Sequence, residues 1–147
     1  MKPIRVLVVD DFPSWRRFVG HLLLEHPKFQ IVAEASDGLE AIQKSEALQP
    51  SLILLDVSLP QLDGLEAARR INAIAPGSRI LFVSENLCPA VICEAMQTGP
   101  STRGYVIKSD AGSDLLPALE AVINGQKFVS RRLAELMLGN GTDLQVR

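Results

Sequence analysis

The run Ile4-Arg-Val-Leu-Val-Val9, followed at once by Asp10-Asp11, decides how the rest of the chain is read. Four apolar residues in a row, with no polar alternation, describe a strand covered on both faces, the habit of a parallel sheet inside a layered protein. Four further runs repeat the pattern: Phe29–Ala35, Leu52–Leu55, residues 79–83 and residues 103–107.

Between these runs the period becomes helical. Trp15, Phe18, Val19, Leu22 and Leu23 line one face of a first helix, with Pro13 in its first turn and Trp15 read as core. Residues 38–48 give a second helix, 65–74 a third and 90–96 a fourth. Leu115, Leu116, Leu119, Val122 and Ile123 stripe a fifth. Pro117 places the start of that helix at about Ser113 or Asp114, because proline is cheap only in a first turn. Strand and helix thus alternate five times. The expected fold is α/β: a doubly wound (βα)5, flavodoxin-like three-layer sandwich with parallel sheet order 2-1-3-4-5. Ser130 reads as the cap of a short C-terminal helix carrying Leu133, Leu136, Met137 and Leu138. Residues 1–127 form the expected domain, 128–139 a linker-like helix and 140–147 a disordered tail.

Composition removes several classes. The 147 residues are 47% hydrophobic, enough for a real core, and the formal net charge of −2 argues against a dedicated nucleic-acid binder. Two cysteines, Cys88 and Cys93, are too few for a disulfide scaffold and fit a reducing cytoplasm. Neither a signal-peptide core nor a membrane span is legible. The expectation is a cytoplasmic domain that binds neither membrane nor nucleic acid by itself.

The chemistry sits where the runs end. The first ends in Asp10-Asp11, the third in Asp56, the fourth in Ser84 and the fifth in Lys108. Ligands of open α/β sheets bind outside the carboxyl ends of the strands, where the strand order reverses, here between strands 1 and 3. Three carboxylates converging there repel, so at least one needs a cation or a raised pKa, and an all-oxygen set suits a hard metal such as Mg²⁺, with Mn²⁺ as a substitute. A metal, a lysine and a hydroxyl around a carboxylate are the apparatus of phosphoryl transfer to that carboxylate.

These residues resemble the receiver domain of bacterial two-component response regulators. The resemblance rests on Val6-Leu-Val-Val-Asp-Asp11, Leu54-Leu-Asp-Val-Ser-Leu-Pro-Gln-Leu-Asp-Gly64, Ser84 and Gly104-Tyr-Val-Ile-Lys108. It implies Asp56 as the phosphoacceptor, taking its phosphoryl group from a sensor histidine kinase. It implies Asp10, Asp11, Asp56 and the Ser58 backbone carbonyl as metal ligands, and Ser84 and Lys108 as contacts to the phosphoryl oxygens. Ser84 and Tyr105 become the switch, read out on the surface of helix 4, strand 5 and helix 5 as a homodimer or a changed partner. The stretches 104–110, 115–122 and 128–134 resemble the NarL/FixJ branch, in which a DNA-binding domain usually follows and transcription is regulated. No such output domain fits before Arg147, so a stand-alone receiver and a shortened chain both stay open.

Three features depart from the family pattern. Glu85 stands after Ser84 where the family has a small residue, and is expected to modulate access to Asp56. The loop Thr98-Gly-Pro-Ser-Thr-Arg103 is longer than usual. Ser109 follows Lys108 where many receivers have a cis proline, so a trans bond is expected. Two other functions compete. One is a phosphorylation-independent, receiver-like interaction module. The other is a small hydrolase or nucleotide binder, disfavoured because Asp10-Asp11 is not Asp-x-Asp and no Gly-rich turn follows strand 1. No separate enzymatic turnover is expected beyond phosphorylation and dephosphorylation of the chain itself.

Overall fold

The structure, a computed structural model, describes residues 2–139; the expected tail at 140–147 lies outside them. Six strands form one parallel sheet: β1 (Ile4–Val9), β2 (Phe29–Ala35), β3 (Leu52–Leu55), β4 (Arg79–Ser84), β5 (Thr102–Ile107) and β6 (Phe128–Val129). Their order is β2-β1-β3-β4-β5-β6, the expected arrangement with one strand added. The helices are α1 (Pro13–Leu24), α2 (Gly38–Leu48), α3 (Gly64–Ile74), α4 (Pro89–Met96), α5 (Ala111–Ile123) and α6 (Arg131–Gly139).

The unbroken apolar runs are explained by two cores. Alternate strand residues Val6, Val8, Leu52, Leu54, Leu81, Val83 and Val106 pack under α1 and α5. The intervening Leu7, Val9, Ile53, Leu55, Ile80, Phe82, Tyr105 and Ile107 pack under α2, α3, α4 and α6. With both faces covered, no central strand position is left for a polar residue until the strand ends. Local signals set the helix ends. Asp37 and Asp63 accept the N–H groups of Glu40 and Glu66, at 2.7 and 2.9 Å, as N-caps of α2 and α3. At the far end, the Arg79 guanidinium donates to Val122 O and Ile123 O, filling the last carbonyls of α5.

Three expectations change. First, α5 begins at Ala111, so Pro117 lies inside it. The chain leaves β5 straight into a single 3-10 turn, Lys108–Asp110, and Ala111 is 1% exposed in the core. Burial of this first turn outweighs the backbone bond that Pro117 lacks. Second, residues 128–139 are more than a helix, because Phe128 and Val129 pair with Gly104 and Tyr105 as β6. Gly104 permits the approach: a Cβ there would lie 2.5 Å from Phe128 O. Third, Ser130 stands at the cap position of α6, its C=O accepting from Ala134 N–H at 3.0 Å, but it also serves β5. Its N–H donates to Tyr105 O at 3.1 Å and its Oγ accepts from Ile107 N–H at 3.2 Å, extending the β5 ladder by one rung.

These contacts also alter the expected readout surface. The outer edge of β5 is occupied by β6, and the fully buried Leu133 and Met137 of α6 join the core that holds Tyr105 and Ile92. The face made by α4, β5 and α5 is therefore partly covered. The long loop before β5 is held by Asn72 of α3, which donates to Ala68 O and Thr102 Oγ1 and accepts from Ser101 N–H. No cis peptide occurs among the described residues, so Lys108–Ser109 is trans.

Candidate functional site

Parallel pairing brings the acids together. Val9 is level with Leu55, and the Asp56 N–H donates to Val9 O at 3.2 Å, so Asp10 and Asp56 leave adjacent strands side by side. One oxygen each from Asp10, Asp11 and Asp56 lies within 4.8 Å of the others. The loop after Asp56 is pinned by the Gly64 N–H, which donates to Val57 O at 2.7 Å. Gly64 must be glycine, since a Cβ there would stand 1.9 Å from Asp56 O. Ser58 lies in that loop and its N–H donates to Asp56 Oδ1 at 3.3 Å.

Lys108 closes the cluster from β5. Its Nζ lies 2.6 Å from Asp10 Oδ2 and 3.0 Å from Asp56 Oδ2. Burial raises the Asp10 pKa above the usual carboxylate range, and neighbouring Asp56 adds to the rise, against the opposing pull of Lys108 and the Phe12 N–H. For Lys108, burial works against the ammonium, but the two carboxylates outweigh it and leave the pKa raised. Asp11 Oδ1 is buried and has no hydrogen-bond partner. A buried carboxylate oxygen left unpaired in an all-oxygen cluster suits a hard divalent cation, so the residues present fit Mg²⁺.

The neighbouring loops complete the rim. Ser84 ends β4, 2% exposed, and its Oγ accepts from Asn86 N–H at 3.1 Å. Tyr105 is turned inward and wholly buried, and its hydroxyl donates to Asn86 O at 2.9 Å. Burial pushes its phenol up to about 12, against the opposing effect of the Ser84 hydroxyl. Glu85 is exposed, and its carboxylate accepts from Ser109 N–H at 3.0 Å. The β4–α4 loop is thus tied to the turn after Lys108. That turn is tied in turn to α6, because Arg132 donates to Asp110 Oδ2 at 3.1 Å and to Ser109 Oγ at 2.9 Å.

Two aromatic residues stand beside the cluster: Trp15, which the sequence places one turn from Asp11, and Phe12, which the sequence reading missed. Trp15 is half-buried, packs against the core under α1 and α5, stacks on Phe18 and stands 5.3 Å, ring centroid to Nζ, from Lys108. The Phe12 ring lies 5.5 Å from the same nitrogen on its own centroid distance. Phe12, Trp15, Phe18 and Lys108 line an open groove of about 440 Å³. The signal for Phe12 was its place directly after the strand-end acid pair, one turn before Trp15.

Known proteins are similar to this chain in sequence and fold. Residues 6–120 match the family model described as the response regulator receiver domain. The chain is 32% identical over 136 residues to the nitrate/nitrite response regulator protein NarL of Escherichia coli strain K12, covering 92% of this chain and 62% of NarL. It therefore spans under two thirds of that relative. Among solved structures, a LuxR-family two-component response regulator from Aurantimonas sp. SI85-9A1 superposes with a TM-score of 0.87 at 30% identity, covering 95% of this chain and 99% of the other. The isolated REC domain of RcsB from Salmonella enterica serovar Typhimurium, with the phosphomimetic BeF3⁻, gives 0.84 at 25% identity over 92% and 99%. The sheet order and the acid cluster at its switch point agree with the sequence match, and the chain belongs to the response regulator receiver domain family.

Proposed function

We propose that this chain is a phosphoacceptor domain of two-component signalling, in which Asp56 takes a phosphoryl group from a sensor histidine kinase. The observation that carries the reading is Lys108 Nζ, 3.0 Å from Asp56 Oδ2 beside the Asp10 and Asp11 carboxylates. In the step, an Asp56 carboxylate oxygen forms a bond to phosphorus while the bond from phosphorus to the kinase histidine nitrogen breaks. The imidazole leaves with the electron pair. Asp10, Asp11, Asp56 and the Ser58 carbonyl would hold Mg²⁺, or Mn²⁺ in its place. The metal supplies charge neutralisation for the transferring group. Lys108 turns its ammonium from Asp56 to a phosphoryl oxygen, and the Ser84 hydroxyl donates to another.

Once Ser84 is engaged, its bond from Asn86 N–H is disturbed, and Asn86 O is the acceptor of the Tyr105 hydroxyl. The switch therefore reaches Tyr105 through Asn86, and a pre-existing equilibrium shifts. The readout falls on α4, on the Asn86 loop and on α6, and is a changed dimer or partner contact. The exposed Phe12 and Phe18 beside Lys108 give the kinase an apolar landing next to the acceptor.

Intact-mass spectrometry after incubation with acetyl phosphate and Mg²⁺ tests this. One phosphoryl adduct is expected on the wild type, and none on Asp56→Asn or without the metal. No adduct from either acetyl phosphate or a phosphorylated kinase would leave the phosphorylation-independent interaction module as the reading.

A further inference from the structure

We propose that Trp15, seconded by Phe12, is a positioning residue for Lys108. Its ring holds the ammonium on Asp10 and Asp56 and so sets how readily a divalent cation takes the acid cluster. The inference rests on the reading of that cluster as a Mg²⁺ site.

Lys108 Nζ is a nearly buried cation, its side chain 11% exposed, with two carboxylates on it at 2.6 and 3.0 Å and two ring centroids at 5.3 and 5.5 Å. Both rings are within the range at which an ammonium is attracted to a π face, and tryptophan is the strongest of the aromatic partners. The lysine and a metal compete for the same oxygen. Asp10 Oδ1 is taken by the Phe12 N–H at 3.0 Å, so Oδ2, the oxygen now bound by Lys108, is the one left for a metal. A cation entering the cluster must displace the ammonium from Asp10 and, with it, disturb the ring contacts. The rings therefore weight the balance toward the metal-free arrangement.

The test is Mg²⁺ titration by calorimetry, which needs no phosphorylation. Trp15→Leu keeps apolar bulk and removes the π face. It is expected to tighten Mg²⁺ binding about fivefold, the scale of one partly desolvated cation–π contact. Trp15→Phe keeps a face and should stay within about twofold of wild type. Phe12→Leu, at a site 59% exposed and so spared any folding role, should move affinity the same way by less. In a Lys108→Met background, Trp15→Leu should change nothing, because the contact it removes is already gone. Equal affinity in wild type and Trp15→Leu, equal effects of Phe and Leu at position 15, or an effect that survives in Lys108→Met would each overturn the proposal. A wild type that takes up no Mg²⁺ would instead overturn the reading of the cluster, and this inference with it.

Discussion

The Glu85 carboxylate accepts the Ser109 N–H at 3.0 Å, so an acidic side chain at the mouth of the site locks the two loops that flank it. The residue that the sequence marked as an obstacle is thus also a tie. Both roles slow a small anionic donor, by repulsion and by holding the loop after Lys108 in place. Glu85→Ala should therefore speed phosphorylation by acetyl phosphate several-fold. Glu85→Gln, whose amide oxygen can still accept from Ser109, should fall between the two. An unchanged rate in the alanine variant would show that Glu85 governs neither access nor the loop.

Lys108 is the only cation paired with the Asp10 carboxylate among the described contacts, and Asp10 is fully buried. Lys108→Met should cost about 3 kcal/mol at neutral pH, because it strands a buried carboxylate. The sign of the pH dependence follows from Asp10. Burial has already raised its pKa, and loss of the lysine raises it further. The folded state then holds a proton that the unfolded state gives up, so stability falls as pH rises. Urea midpoints of this variant should recover toward wild type as the pH drops from about 8 to about 5. Added Mg²⁺ should restore part of the loss at neutral pH, since it supplies the missing positive charge.

The sheet, the five strand–helix pairs and the meeting of Asp10, Asp11, Asp56 and Lys108 were legible because each strand ends in the residue that matters. Periodicity located the ends, and parallel pairing then fixed the neighbours. What was not legible depends on contacts between distant segments. Phe128-Val129 is too short to show a period, and its strand exists because Gly104 lets a backbone approach. Ser130 stands where a cap stands, and its hydroxyl also serves Ile107 from across the sheet edge. Arg132 has a partner in Asp110 that is far away in sequence and that no helical spacing signals. Cys88, of a residue type that is usually buried, is exposed at the start of α4.

The attachment of α6 separates two energies. The Arg132–Asp110 pair is half open to water, and such pairs contribute at most about 1 kcal/mol. Leu133 is fully buried beside Tyr105 and Ile92, and truncating it should cost about 2–5 kcal/mol. Leu133→Ala is thus expected to lower the urea midpoint clearly, whereas Arg132→Ala leaves it nearly unchanged. Arg132→Ala should still weaken hydrogen-exchange protection in α6, because it cuts the tie to the turn after Lys108. Equal stability losses in the two variants would mean that α6 is held by charge rather than by its apolar face.

Tyr105 gives a clean alkaline signature because it is the only tyrosine. Its pKa is raised from 10.0 to about 12 by burial. Between those values the unfolded chain loses the phenolic proton while the folded chain keeps it. The folded state then binds more protons, so stability falls as pH rises, by up to about 3 kcal/mol over the two units. Lys108, also raised, adds loss in the same direction above its unfolded value of 10.5. Tyr105→Phe separates them: its stability should decline with a slope shallower by about one proton over this range. In the wild type, tyrosinate absorbance should appear near pH 12 or together with unfolding, and not as a separate step near pH 10. A step near pH 10 in folded protein would place the phenol in water and remove the inward packing on which the Asn86 link to Ser84 depends.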